Sequence, residues 1–144
     1  MSASQLNKDF LQILINDNDE LLGKKLNEQS IDIADINKIF LKSVLGGHNR
    51  CIDLLLNKGA NVNFVLPMGE NALTWAISRG HMETCRLLIE KNINVNKKTS
   101  IAHTTPLMCA ARSGKLEIIQ ALVDAGAKLD DQNKLGQTAL MIAT

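Results

Sequence analysis

The chain has 144 residues, 45% hydrophobic and 3% aromatic, with one Trp, three Phe and no Tyr, so Leu, Ile, Ala and Val must build the core, as suits thin stacked layers. The formal net charge is +1. It is divided unevenly: three Lys against seven acids in residues 1–35 (net −4), and thirteen Lys and Arg against eight acids in residues 36–144 (net +5), a modest and interleaved excess that excludes a nucleic-acid stripe.

No apolar run approaches the ~20 residues needed to span a bilayer. Met1 to Asp9 lacks the basic and then apolar pattern of a secretion signal. The cysteines, Cys51, Cys85 and Cys109, form no C-x-x-C pair and argue for a reducing compartment. That places the chain inside a cell, in the cytoplasm or as an effector delivered into a host.

In chain order, Ser4 is placed to cap a helix carrying Leu6, Phe10, Leu11 and Leu14. Asn18 or Asp19 caps a second, with Leu21, Leu22 and Leu26, and Ile31-Asp32 then matches Val62-Asn63 further on. Residues 1–35 are therefore expected to form a degenerate repeat acting as an N-terminal cap, or an unrelated helical hairpin. Their negative charge suits a solvent-facing end.

From here the chain repeats itself. Gly47, Gly80 and Gly114 stand 33 and 34 residues apart in similar surroundings, Gly47-His48-Asn49-Arg50-Cys51-Ile52, Gly80-His81-Met82-Glu83-Thr84-Cys85 and Gly114-Lys115-Leu116-Glu117-Ile118-Ile119. Such a period predicts stacked supersecondary units. Before the glycine runs a first helix, best seen in Thr105-Pro106-Leu107-Met108-Cys109-Ala110-Ala111-Arg112-Ser113. Thr105 is a good N-cap, Pro106 fits the first helical position, and Gly114 ends the helix in the left-handed region. After the glycine, apolar residues three and four apart mark one face of a second helix: Ile52, Leu55 and Leu56; Cys85, Leu88 and Ile89; Ile119, Leu122 and Val123. Gly59, Asn92 and Gly126 close these helices, and loops containing Gly69 or Gly136 project between units. The units run about 36–63, 66–96, 99–130 and, in part, 133–144.

Thr105-Pro106-Leu107, Gly80-His81, Leu55-Leu56-Asn57-Lys58-Gly59-Ala60-Asn61-Val62-Asn63 and Gly136-Gln137-Thr138 together resemble the ankyrin repeat, from about Asp35 to Thr144. The resemblance implies an all-α solenoid of helix–turn–helix units with β-turn fingers, a scaffold for protein–protein contacts along a concave face. There are departures. Met108 and Thr74 replace the signature His, so its capping hydrogen bond should be lost. Lys38-Ile39-Phe40-Leu41 replaces the helix-opening motif, and the finger before Thr105 is one residue longer than its neighbour.

Catalysis, a cofactor and a metal are not expected. The three cysteines fall on packing positions, and His48 and His81 fall at the Gly-His turn, where His commonly bonds backbone. No His or Cys spacing suits zinc. Gly46-Gly47 lacks the Lys-Ser/Thr of a phosphate loop, and Lys97-Lys98 suits a solvated surface. Trp75, aligned with Cys109 and Ile142, is expected between helices in the core.

The resemblance places partner contacts on finger tips and on the exposed side of the first helix. The positions are Pro67, Met68, Glu70, Ser78 and Arg79; Ile101, His103, Thr104, Arg112 and Ser113; and Lys134, Leu135 and Gln137. Met68, Ile101 and Leu135 form an apolar patch flanked by Arg79 and Arg112, unless each packs on the neighbouring finger. The expected partner is another protein, not nucleic acid or membrane. The alternative is the ankyrin portion of a larger effector, ligase adaptor or channel. The fourth unit stops after two helical turns, so continuation past Thr144 is expected, or else fraying or self-association through Leu140 and Ile142 of an otherwise monomeric chain.

Overall fold

The computed structural model describes residues 3–144; the side-chain roles expected of Ser4 and Leu6 lie outside the described residues. Among those residues the chain is all-α, with an isolated bridge between Val65 and Asn71 and no strand. It divides into two compact units, Met1–Asn61 and Val62–Thr144.

The first unit holds α1 (Ala3–Ile15), α2 (Asp19–Glu28), α3 (Ile33–Gly46) and α4 (Asn49–Asn57). α1 packs on α2 and α3, α2 on α4, and α3 on α4. Phe10, Leu14, Leu22, Phe40, Val44, Ile52 and Leu55 are buried between them. Asn18, not Asp19, caps α2 by accepting the Leu21 N–H at 2.9 Å. The departure at Lys38 has a clear consequence. With no capping residue there, the first helix extends back to Asp32, whose carboxylate accepts the Asp35 N–H at 2.9 Å. α3 therefore has 14 residues, where the first helices of the next two repeats have 8 each.

The second unit holds α5 (Ala72–Arg79), α6 (Met82–Glu90), α7 (Pro106–Ser113), α8 (Leu116–Asp124) and α9 (Ala139–Ala143). First helices stack on first helices, α5 on α7 and α7 on α9, and second helices likewise, α6 on α8. Leu73, Ile77, Leu88, Met108, Ile118 and Leu122 are almost fully buried in this stack. Each contributes roughly 2 kcal/mol by leaving water. Gly80 and Gly114 end the first helices at φ 74° and 67°, and Asn92 takes φ 62°, as the sequence predicts.

Hydrogen bonds with the same period join the repeats. The Asn63 side-chain oxygen accepts the Asn94 N–H at 2.7 Å, and that of Asn96 accepts the Lys128 N–H at 2.8 Å. The fingers are joined too, with Ser100 N–H donating to Met68 O at 2.9 Å and Lys134 N–H to Ala102 O at 3.1 Å.

The capping bond expected to vanish with the signature His survives in other chemistry. The Asn71 side chain accepts the Thr74 N–H, while the Thr74 hydroxyl lies 3.2 Å from the Asn71 N–H and donates to Asn71 O at 2.9 Å. In the next repeat Thr105 accepts the Met108 N–H, and the Met108 sulfur takes the Thr105 N–H at 3.5 Å. All four residues are buried, so an unpaired group here has no access to water. Thr74→Val keeps the shape and removes the hydroxyl. It should lower unfolding free energy by about 1–3 kcal/mol in urea titrations, while Thr74→His should retain most of the stability.

Candidate functional site

In the second unit the candidate residues fall at finger tips, which lead into the N-termini of α5 and α7, and at the C-terminal ends of those helices. Each finger closes on a tight backbone turn. Leu66 N–H donates to Glu70 O, Asn133 N–H to Gln137 O, and Thr99 N–H to Thr104 O. The last turn spans one residue more, the structural form of the longer finger. Gly69 and Gly136 sit at φ 80° and 74°, and His103 takes the same left-handed conformation at φ 52°. A β-carbon at Gly69 would stand 2.5 Å from the Ser100 nitrogen, so this position is glycine for proximity as well as conformation.

Met68, Ile101 and Leu135 are 54%, 57% and 81% exposed, so none is covered by its neighbouring finger. Pro67, Ser78, Arg79, His103, Arg112, Ser113 and Lys134 are exposed as well. The Ser113 hydroxyl donates back to Cys109 O at 3.0 Å. Glu70 and Gln137 are partly covered: Glu70 accepts the Trp75 indole N–H at 3.0 Å, and Gln137 bonds the Asn133 side chain. Thr104 departs from expectation. It is buried, because its N–H and carbonyl both bond Thr99 to close the long finger.

Trp75 is a second correction. It is half-buried, not a core residue, with its indole nitrogen turned to Glu70. Position alone put it with Cys109 and Ile142, which are also half-buried. A polar ring N–H with a carboxylate five residues upstream was the available signal.

The thiols are packing groups. Cys51 and Cys85 are buried, and burial is the main reason that both are pushed up to about 12. At Cys51 the hydrogen bond and charge of Asp17 act in the same direction. Cys109 is raised by burial as well. A thiol held protonated is a poor nucleophile and a poor metal ligand. Among the described residues no His, Cys, Asp and Glu cluster could hold a metal, and no helix is long and apolar enough to cross a membrane. His48 and His81 stand at the N-caps of α4 and α6 without a side-chain cap bond, and the His48 ring lies against Gly46.

A further apolar surface includes Leu140, expected from the sequence to be an exposed apolar residue of the fourth unit. Leu107, Ile119, Val123, Leu129 and Leu140 border an open groove of about 410 Å³ beside α8 and α9. Val95 is 8% exposed where α8 stacks on α6, whereas Leu129, at the same repeat position, is 58% exposed.

Short paired helices, αL-terminated first helices and bonded fingers define a helical-repeat binding scaffold. The chain belongs to the ankyrin repeat family: the family model for ankyrin repeats (3 copies) matches residues 1–99 and 97–144. Ankyrin repeats are protein-interaction modules, generally without catalytic groups. Relatives include ankyrin repeat and SOCS box protein 6 of Homo sapiens, 34% identical over 126 residues, 86% of this chain and 30% of the relative. Ankyrin repeat domain-containing protein 63 of Mus musculus is 35% identical over 99 residues, 66% of this chain and 25% of the relative. Dauer abnormal formation protein 25 of Caenorhabditis elegans is 39% identical over 77 residues, 54% of this chain and 20% of the relative. The chain thus spans less than a third of the length of each.

The cysteines give a direct check. Maleimide should label Cys51 and Cys85 only on unfolding. A thiol ionises near 9.0 when unfolded and near 12 when folded at these two sites. The stability they contribute should be complete below pH 9.0 and fall as pH rises from there towards 12, read as a declining urea midpoint.

Proposed function

We propose that this chain is a protein-binding module of the cell interior. It holds a segment of another protein on the finger and first-helix face of the Val62–Thr144 unit, and has no catalysis of its own. The observation that carries this reading is the row of Met68, Ile101 and Leu135, exposed on three successive fingers whose backbones are bonded to one another. Apolar side chains held in water on a rigid frame have no folding role. Because the frame is already ordered, binding forfeits little conformational entropy. Ser78, Arg79, Arg112 and Ser113, exposed in the last turns of α5 and α7, add polar groups suited to a protein partner.

A second reading makes the array the recognition portion of a longer adaptor. It is supported by the relatives that combine ankyrin repeats with a SOCS box and by their greater length. The length of the polypeptide expressed in cells separates the two readings.

Affinity capture with mass spectrometry would supply the partner, and Trp75 fluorescence the binding curve, since Trp75 is the single tryptophan and lies beside this face. The triple variant Met68→Ser/Ile101→Ser/Leu135→Ser should bind at least about tenfold more weakly, or roughly 1.4 kcal/mol. Its folding stability should stay within about 0.5 kcal/mol per site. Undiminished binding by a folded triple variant would assign the partner to another face.

A further inference from the structure

Within the second unit, charge is sorted by face. The fingers and first helices (residues 62–80, 97–114 and 131–144) carry the cations Arg79, Lys97, Lys98, Arg112 and Lys134 against the acids Glu70 and Asp131, a net of +3. The second helices and their turns (residues 81–96 and 115–130) carry four cations against five acids, a net of −1.

Pairing is sorted in the same way. On the second-helix side Arg86 bridges Glu83 at 3.1 Å and Glu117 at 2.9 Å. On the finger side both acids are engaged, Asp131 by Lys98 at 3.6 Å and Glu70 by the Trp75 indole. The side chains of Arg79 and Arg112 are exposed, and neither has a hydrogen-bond or ion-pair partner among the described residues.

We infer that the partner segment is acidic and extended, with two carboxylates that meet Arg79 and Arg112 on the adjacent first helices α5 and α7. This rests on the finger face being the binding surface, and it names the chemistry which that surface selects. Packed neighbouring helices lie about 8–10 Å apart. A chain in the extended polyproline II conformation rises about 3.1 Å per residue with about three residues per turn, so side chains three residues apart share one side. Two carboxylates about three residues apart therefore match two arginines presented by adjacent first helices. Planar guanidinium groups pair carboxylates in bidentate fashion, so arginine at these two sites favours carboxylate recognition. A nucleic acid fits less well, because Trp75 is half-buried and bonded to Glu70, and the exposed finger tips offer Met, Ile and Leu with the His103 imidazole as the single exposed ring for stacking a base.

The test is selection of a phage-displayed random 12-residue peptide library on the intact chain. Enriched peptides are then synthesised and titrated by fluorescence anisotropy. A single-stranded oligonucleotide and anionic phospholipid vesicles serve as competing probes. Enriched peptides should share two Asp or Glu about three positions apart. The Arg79→Glu/Arg112→Glu variant should bind them about tenfold or more weakly, and raising salt from 50 to 500 mM should weaken wild-type binding severalfold. Lys128→Glu, exposed on the turn after the second helix α8, should bind as wild type.

Enriched peptides without acids, insensitive to Arg79→Glu/Arg112→Glu but lost with Met68→Ser/Ile101→Ser, would overturn the acidic-segment inference and leave the finger face standing. Peptides insensitive to both variants would overturn both. No enrichment, or tighter arginine-dependent binding of the oligonucleotide or vesicles, would overturn the inference.

Discussion

No helix pair in this chain can bury its own apolar face. The second helices of the repeats have 9 residues each, and the first helices of the last two complete repeats have 8. Helices this short are not stable alone in water. They persist because each is the wall of the next, as α6 is to α8 and α5 to α7. The 33–34 residue period, the small Ala76 and Ala110 at close contacts, and the buried leucines at one position per unit all serve that requirement. Val95 shows it, being 8% exposed where α8 stacks on α6.

Stacking alone leaves a sliding degree of freedom, and polar groups remove it. The side chains of Asn63 and Asn96 take a backbone N–H from the following turn, and each finger after the first donates to the carbonyl of the one before. These bonds act over fixed sequence intervals, so they favour one register between units. They also hold the finger tips in place when no partner is bound. The surface proposed for recognition is thus a by-product of the framework. Backbone makes the finger bonds, which leaves the tip side chains unconstrained by folding.

The fold was legible because the sequence rules are local and repeated. Gly47, Gly80 and Gly114 mark helix ends wherever they fall, and Thr105-Pro106 opens a helix by chemistry that needs no neighbour. What the sequence concealed was compensation. Losing the signature His suggested losing its bond, yet a hydroxyl at Thr74 and a sulfur at Met108 approach the same N–H. Aligning Trp75 with apolar positions suggested a core residue, but an alignment column does not say how far a large ring protrudes. Thr104 looked like a finger-tip residue until the extra finger residue folded it inward. The charge separation between faces was invisible in a net charge of +1, because it emerges only when alternate segments are assigned to opposite sides.

The longer finger shows how framework and surface trade against each other. It carries Ile101 outward, as the sister fingers carry Met68 and Leu135, and leaves His103 in a conformation where those fingers have glycine. A non-glycine residue there costs on the order of 1 kcal/mol or more. The conformation persists because the backbone around it is tied at several points, by Thr99 to Thr104, by His103 to Thr99, by Ser100 to Met68 and by Lys134 to Ala102. Four bonds from fixed neighbours outweigh one unfavourable dihedral. The array can therefore hold a side chain at a tip that would otherwise demand glycine, in the finger between Met68 and Leu135. In a repeat protein, a surface becomes particular to one chain at such positions, where the shared framework is rigid enough to impose a conformation that the local residue would not choose.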